Sequence, residues 1–149
     1  MKIRNIIITL VSAIALLISA STISFAKVVG DKIVLGAAVS LTGKYSSNGV
    51  HTQNGYNLAV ERINSMGGVK VGGKNYKFEI IYYDDESNSG RAAQLAERLI
   101  KQDGVQFMLG PYSSGLTKAM APVTEKYGIP MVEANGASRS LFTKGYKYL

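Results

Sequence analysis

The sequence contains no cysteine and no tryptophan, and it has only one histidine and three prolines. Without cysteine the chain can form neither a disulfide nor a thiolate zinc site, and the lone His51 removes most of the remaining zinc chemistry. Long charge runs are also missing, because the 17 basic residues are scattered singly among 10 acidic ones. Scattered charges are typical of a solvated surface, so the formal net charge of +7 does not predict a nucleic-acid partner.

The longest apolar run lies at the start of the chain, where Lys2 and Arg4 precede residues 6–18. At about 13 residues this run is too short for a membrane-spanning helix, which needs roughly 20. The tripeptide SFA at positions 24–26 matches the small-x-small pattern of a signal-peptide cleavage site. We therefore predict a secretory signal in residues 1–26 and one mature domain in residues 27–149. An uncleaved signal anchor is the alternative.

The rest of the chain alternates between strand-like and helix-like patterns. Short apolar runs predict strands at residues 33–39, 76–83, 105–109 and 129–132, with a fifth strand cut short at 145–149. Apolar residues spaced three and four apart predict helices at residues 55–66, 91–101 and 114–127. This alternation predicts an α/β fold with a Rossmann-like parallel sheet and helices on both faces.

In parallel sheets of this kind, ligands bind beyond the carboxyl ends of the strands, where helix N termini point. This rule selects three loops, at residues 40–49, 110–115 and 133–140, all rich in Gly, Ser, Thr and Asn. Free backbone N–H groups and small hydroxyls are suited to an anion such as a carboxylate. The three loops therefore predict a site for a small carboxylate.

Two enzyme interpretations and one metal-site interpretation are less well supported by the sequence than a carboxylate site. Residues 110–117 have the glycine spacing of a phosphate-binding P-loop, but Leu116 stands where the lysine is required. The dinucleotide fingerprint G-x-G-x-x-G is also absent after the first strand. The acids Asp84, Asp85 and Glu86 are open to two interpretations, a metal site or a strand-end turn with helix-starting acids, and the turn is favoured.

The sequence resembles the type I periplasmic binding proteins of the branched-chain amino acid class. Five stretches carry the resemblance, in family order and spacing: LGAAVSLTGKYSSNG (35–49), NGYNLAVERINSMGGV (54–69), IIYYDDESN (80–88), GPYSSG (110–115) and KYGIPMVEANGAS (126–138). The resemblance implies two Rossmann-like lobes that close on a ligand. It also implies that residues 27–149 form the first lobe, incomplete, without the second.

The resemblance also implies a set of ligand contacts. The hydroxyl and backbone N–H that hold a ligand carboxylate fall on Ser114, and the carbonyl that accepts from a ligand ammonium falls on Asn135. Ala137 takes the place of a hydroxyl residue, which weakens the ammonium half of the site. An aromatic-tending position falls on Asn48, and a residue that lines the ligand side chain falls on Tyr112. The neighbouring Ser113 and Gly136 complete the predicted site.

Structural roles remain open for four of these residues. Ser114 is also suited to be a helix N-cap, and Tyr112 is also suited to pack on Tyr45. Asn48 and Asn135 are also typical turn residues.

The function implied by the resemblance is that of a periplasmic solute-binding component of an ABC importer. Such a protein captures an amino acid or related small carboxylate and passes it to a membrane permease, without a cofactor and without catalysis. A tethered sensor with the same outer fold is the alternative. A third hypothesis is an α/β enzyme with its active site at the same edge of the sheet, for which the missing second half would supply the nucleophile and base.

Overall fold

The computed structural model describes residues 28–133 and 135–149, so the predicted signal in residues 1–26 lies outside the described part. Within the described residues the elements follow in this order: β1 (Val28–Val29), β2 (Lys32–Val39), α1 (Ser46–Ser65), β3 (Val69–Val71), β4 (Lys74–Asp84), α2 (Ser89–Lys101), β5 (Met108–Leu109), α3 (Ser114–Tyr127), β6 (Met131–Val132) and α4 (Arg139–Phe142).

The described strands form one sheet in the order β3-β4-β2-β5-β6, with β1 beside β2. Strand β2 pairs in parallel with β4 and β5, and β5 pairs in parallel with β6. The predicted parallel α/β fold is thereby confirmed. Two short antiparallel strands, β1 and β3, were not predicted. Strand β3 turns into β4 through Gly72 and Gly73, whose φ angles of 57° and 84° suit a two-residue hairpin turn.

Helices lie on both faces of the sheet. The chain crosses from β2 to β4 in one direction and from β4 to β5 in the other, so right-handed crossovers place α1 and α2 on opposite faces. Alternate residues of β4 show this arrangement. The Tyr82 hydroxyl donates to Asn57 of α1 at 2.9 Å, whereas Tyr83 packs against the main core. That core joins β2 to α2 and α3 through residues such as Ala38, Leu99 and Met120.

An apolar groove of about 310 Å³ lies on the face of the sheet that carries α1, and no residue of α1 lines it. Leu35, Phe78 and Leu109 contribute to its lining, and the side chains of Phe107 and Val132 are exposed there. Helix α1 therefore covers this face only in part.

Helix α3 begins and ends where the sequence predicted, at Ser114 and Tyr127. Its end is fixed by Gly128, which adopts a left-handed φ of 66° and donates to Glu125 O and Thr124 O. Helix α2 also matches, beginning two residues earlier than predicted, with Asn88 as its N-cap.

The predicted start of α1 at Gly55 was wrong, because the helix begins at Ser46. The first turns of α1 lack an apolar repeat. Their position is fixed instead by contacts with the loop that precedes the helix and with the end of β2. Ser46 N donates to Gly43 O at 3.1 Å, and a Cβ on Gly49 would lie only 1.8 Å from Ser40 O. Only glycine allows α1 to begin so close to the end of β2.

The predicted fifth strand at residues 145–149 was also wrong. One backbone bond links this segment to β6, from Met131 N to Tyr148 O at 2.8 Å. The N–H groups of Lys147 and Tyr148 instead donate to the carboxylate of Glu125. These two N–H groups are therefore not available for the hydrogen bonds of a strand pair.

The strands predicted at 105–109 and 129–132 are shorter in the structure, since only their last two residues form ladders. None of the helices in residues 28–133 and 135–149 is both long enough and apolar enough to cross a membrane.

Candidate ligand cleft

A cleft of about 490 Å³ opens at the carboxyl edge of the sheet, where the loops after β5 and β6 face α1. One wall is α1, and the other is formed by the two loops. The lining residues are Asn48, His51, Thr52, Gly55, Tyr56, Tyr112 and Asn135.

The α1 wall follows from helical spacing, since residue 52 lies four positions after residue 48 and three and four positions before residues 55 and 56, which places them on one face. The Thr52 hydroxyl donates to Asn48 O of the same helix at 3.0 Å, so its hydrogen is already bonded within α1. The same spacing would have identified this wall from the sequence if the helix had been predicted to begin at residue 46. His51 and Thr52 were missed for that reason, whereas Gly55 and Tyr56 lie inside the predicted helix and were not singled out as site residues.

Tyr56 links the two walls, because its hydroxyl donates to Gly110 O at 2.7 Å. Burial, together with the negative charge of Glu133, raises the pKa of Tyr56. The hydroxyl therefore stays protonated at neutral pH and acts as a hydrogen-bond donor.

Tyr112 packs on Tyr45, as predicted, and it also lies on the cleft wall. The two rings meet edge-on with their centroids 5.6 Å apart. Lys44 lies 4.7 Å from the centre of the Tyr45 ring, which extends this small aromatic cluster to the surface.

The N-terminus of α3 lies beside Tyr112. Ser113, not Ser114, is the N-cap, and its Oγ accepts from Leu116 N at 3.4 Å. Its φ of 80° is unusual for a residue other than glycine. The Ser114 hydroxyl accepts from Ser138 N at 3.0 Å and so joins α3 to the loop after β6.

The loop after β6 is organised by Glu133, which the sequence interpretation did not single out. Its carboxylate accepts from Asn135 N at 2.5 Å and from Gly136 N, and also from the Thr117 hydroxyl at 2.7 Å. Gly110 packs directly against this carboxylate, since a Cβ there would lie 2.2 Å from Glu133 Oε2.

The structure brings Asn48, Tyr112 and Asn135 onto the cleft wall. Asn48 lies within α1, so its alternative role in a turn was wrong. The other four predicted residues do not line this cleft: Ser113, Ser114, Gly136 and Ala137. Ser114 follows the cleft-lining Tyr112 by two residues, and its hydroxyl accepts from Ser138 N in the loop that contains Asn135. The ligand roles of all seven stay predictions.

The acids after β4 form a turn that closes the neighbouring loop. Asp84 accepts from Leu41 N, Thr42 N, Glu86 N and the Thr42 hydroxyl. Burial alone would raise the pKa of Asp84, but the hydrogen bonds from Thr42, Glu86 and Leu41 outweigh it and hold that pKa below its usual value.

Asp85 is fully buried and accepts from the Ser40 hydroxyl at 2.6 Å and from Ser87 N at 2.8 Å. Burial raises the pKa of Asp85 despite these donors. The first turn of α2 contains no acid, so the expectation of helix-starting acids was wrong. Across residues 28–133 and 135–149 there is no cluster of three His, Asp or Glu side chains arranged to hold a metal.

The P-loop resemblance ends at Leu116, which is buried in the core beneath α3. A lysine at that position would point away from the loop that a phosphate would occupy. The geometry of α3 therefore gives no support to nucleotide binding through this segment.

A lobe of this topology, with a cleft at the carboxyl edge of a mostly parallel sheet, defines a class of ligand-binding α/β lobes. The profile of the periplasmic binding protein family matches residues 32–148, and the chain belongs to that family, as the resemblance predicted.

Three relatives show the range of the similarity. The chain is 28% identical over 119 residues to the leucine-, isoleucine-, valine-, threonine- and alanine-binding protein of Pseudomonas aeruginosa, a match that covers 80% of this chain and 31% of that protein. LivJ of Streptococcus pneumoniae, a branched-chain amino acid transporter substrate-binding protein solved in complex with isoleucine, is 32% identical with a TM-score of 0.71. That match covers 79% of this chain and 32% of LivJ.

A solute-binding protein of an ABC transporter from Rhodopseudomonas palustris, solved with 3,4-dihydroxybenzoic acid, is 28% identical with a TM-score of 0.66. That match covers 79% of this chain and 31% of the solved one. This chain thus spans about a third of the length of the relatives it matches. These relatives are solute-binding proteins, and two of them were solved with different carboxylates.

Proposed function

We propose that this chain is the first lobe of a periplasmic solute-binding protein that captures an amino acid or a related small carboxylate for an ABC importer. The observation that carries the proposal is the N-terminus of α3, which follows the cleft-lining Tyr112 by two residues. Among the described residues, the backbone N–H groups of Ser114 and Gly115 have no acceptor. Free N–H groups at a helix N-terminus favour an anion, and a ligand carboxylate supplies one.

The remaining lining of the cleft suits the body of a small organic ligand. Tyr56 and Tyr112 are aromatic, while Asn48 and Asn135 are polar. This mixture of apolar surface with a few polar groups is typical of small-molecule sites. The two solved relatives were bound to isoleucine and to 3,4-dihydroxybenzoic acid, which supports a carboxylate as the feature shared by the ligands.

The delivery route is also part of the proposal. A signal in residues 1–26 would direct the chain to the periplasm, where a second lobe would close over the ligand and a membrane permease would receive it. Sequencing the N-terminus of the secreted protein tests the first step, and the expected first residue is Lys27. An intact Met1 would instead favour the tethered interpretation.

Binding is tested on the full-length protein by a thermal-shift screen of amino acids and small aromatic carboxylates, followed by calorimetry. We expect at least one carboxylate to raise the melting temperature, because a ligand that binds only the folded state stabilises it by mass action. If no amino acid and no carboxylate in the panel binds, the proposed function is wrong.

A further inference from the structure

Glu133 places a carboxylate immediately behind the cleft, at the end of β6. Each of its oxygens is occupied by neutral donors: Asn135 N and Gly136 N on one, and the Thr117 hydroxyl on the other. Several hydrogen bonds to one carboxylate fix its position and orientation. The carboxylate is thus held in place by its surroundings.

This charge is adjacent to two parts of the cleft wall. Asn135, which lines the cleft, donates its N–H directly to the carboxylate. On the other side, Gly110 packs against Glu133 Oε2 and accepts the Tyr56 hydroxyl through its carbonyl. Tyr56 itself responds to the charge, since burial and then Glu133 raise its pKa. The field of Glu133 therefore reaches the space that a ligand would occupy.

No cation neutralises this charge among residues 28–133 and 135–149. The ion pairs there join Lys32 to Glu79, Arg91 to Glu86 and Lys126 to Glu97, and none includes Glu133. The cleft is lined by neither lysine nor arginine. The nearby N-terminus of α3 contributes only about half a positive charge. The cleft is consequently polarised, with its positive end at Ser114 and its negative end behind Asn135.

Glu133 also consumes donors that an anion would need. The N–H groups of Asn135 and Gly136 point at its carboxylate, so they are not available to a ligand oxygen. The carbonyl of Asn135 has no donor among the described residues. This rim therefore suits a group that donates hydrogen bonds and carries positive charge, while the α3 rim suits a carboxylate.

We propose that Glu133 is a specificity determinant that makes this cleft select ligands bearing an amine beside their carboxylate over plain carboxylates. The inference rests on the proposed function and narrows its ligand class to zwitterions such as α-amino acids. It also resolves the effect of Ala137, which lacks the hydroxyl expected for binding an ammonium. The fixed charge of Glu133 supplies that attraction from one layer behind the wall.

The test uses two ligand pairs that differ only in the amine: L-isoleucine with 3-methylpentanoate, and L-phenylalanine with 3-phenylpropanoate. Calorimetry on the full-length wild-type protein should give tighter binding of the amino acid, by about tenfold or more, in whichever pair binds. A unit charge acting across a partly desolvated cleft accounts for a preference of that size. Tighter binding of the acid without the amine would overturn the proposal.

Glu133→Gln should reduce the amino-acid preference by about tenfold, with the amino acid losing affinity and the plain acid gaining it. A purely structural defect would weaken both members of a pair together, so an unchanged ratio overturns the proposal even if both affinities fall. The matched control is Glu125→Gln, because Glu125 also accepts from two backbone N–H groups but lies away from the cleft lining. Its ligand ratio should equal that of the wild type.

If Glu133→Gln does not fold, the wild-type preference and Glu133→Asp, which keeps the charge, decide the question. Glu133→Asp should preserve the direction of the preference, and a reversal would contradict the charge argument. Failure of the proposed function has a different signature, since neither member of either pair, nor any other carboxylate in the screen, would then bind.

Discussion

Two polar corners lie at the carboxyl edge of the same sheet. In the acid corner, formed by residues 84–88 and the loop at 40–45, Asp84 and Asp85 together accept from four backbone N–H groups and two hydroxyls. In the cleft corner, formed by the loops at 110–115 and 133–138, Glu133 performs the same task for Asn135 and Gly136. There, however, the first N–H groups of α3 are left without an acceptor in the described part of the chain.

The comparison separates a structural use of carboxylates from a functional one. In the acid corner the two carboxylates tie the loop at 40–45 to the turn after β4, which closes that corner and contributes stability. Where a carboxylate satisfies one rim and leaves the other open, the remaining donors are available to a ligand, because unpaired N–H groups in a cleft favour an incoming anion. Predictions that damage one corner and spare the other test this distinction.

The largest effect should come from Gly49→Ala, which attacks the packing of α1 on the acid corner. The new Cβ would lie 1.8 Å from Ser40 O, and backbone cannot yield as a flexible side chain can. We expect the free energy of unfolding to fall by about 3 kcal/mol or more, at the upper end of overpacking costs. Chemical denaturation measures it.

The matched control is Gly55→Ala in the same helix, where a Cβ would meet nothing within 4 Å. Alanine is favoured over glycine in a helix by roughly 1 kcal/mol, so this variant should be as stable as the wild type or more stable. Equal destabilisation by both substitutions would contradict the packing argument.

Ser114→Ala should act on the cleft corner alone. A hydrogen bond to a charged group is worth roughly 1.5–3 kcal/mol, so the affinity for the carboxylate ligand should fall about tenfold or more. The free energy of unfolding should change less than it does in a variant that lacks the cap, because Ser113 and not Ser114 caps α3. Calorimetry and thermal denaturation of the full-length protein provide the two readouts.

Ser113→Ala is the opposite case, since it removes the cap and should cost about 1 kcal/mol of stability. If Ser114→Ala left the affinity unchanged, Ser114 would be removed from the site.

Asp84→Asn should weaken the acid corner without changing ligand affinity. Bonds to a charged acceptor exceed bonds to a neutral one by about 1 kcal/mol, and solvent around this corner reduces the difference further. Because the folded pKa of Asp84 is lowered, its contribution is complete above the unfolded value of about 3.9 and is lost as the pH falls through the folded value. The stability gap between wild type and variant should therefore close in acid. A stability gap that widened below pH 4 would show that the pKa of Asp84 is not lowered by folding.

The smallest effect is expected from Ala137→Thr, which restores the hydroxyl implied by the family resemblance. Ala137 is exposed, so threonine fits without overpacking. One added neutral hydrogen bond is worth about 0.5–1.5 kcal/mol, which predicts an amino-acid affinity that holds or rises by up to about tenfold. A marked loss of affinity for amino acids, measured by calorimetry, would contradict the assignment of this position to the ammonium rim.

Local signals decided how much of the fold could be predicted from the sequence. Helix α3 was predicted to the residue because an apolar repeat fills it and Gly128 ends it. The first turns of α1 carry no such repeat, and their position depends on the contact between Gly49 and Ser40, which no local pattern encodes. The fifth strand failed for a related reason, since Glu125 captures its N–H groups from 22 and 23 residues away.

The candidate site shows the same division. The carboxyl-edge rule located the loops that contain Tyr112 and Asn135, whereas His51 and Thr52 were missed because the start of α1 was placed too late. Glu133 was missed because its importance lies in three hydrogen bonds made after folding, to Thr117, Asn135 and Gly136.

The most direct test of the central claim follows backbone amide signals during a titration of the isotope-labelled full-length protein with its carboxylate ligand. The amides of Ser114 and Gly115 should shift strongly as they acquire an acceptor. The amides of Leu41 and Thr42, already bound by Asp84, should stay nearly unchanged. Shifts confined to the acid corner, with Ser114 and Gly115 unmoved at saturation, would show that the open donors of α3 are not where the ligand binds.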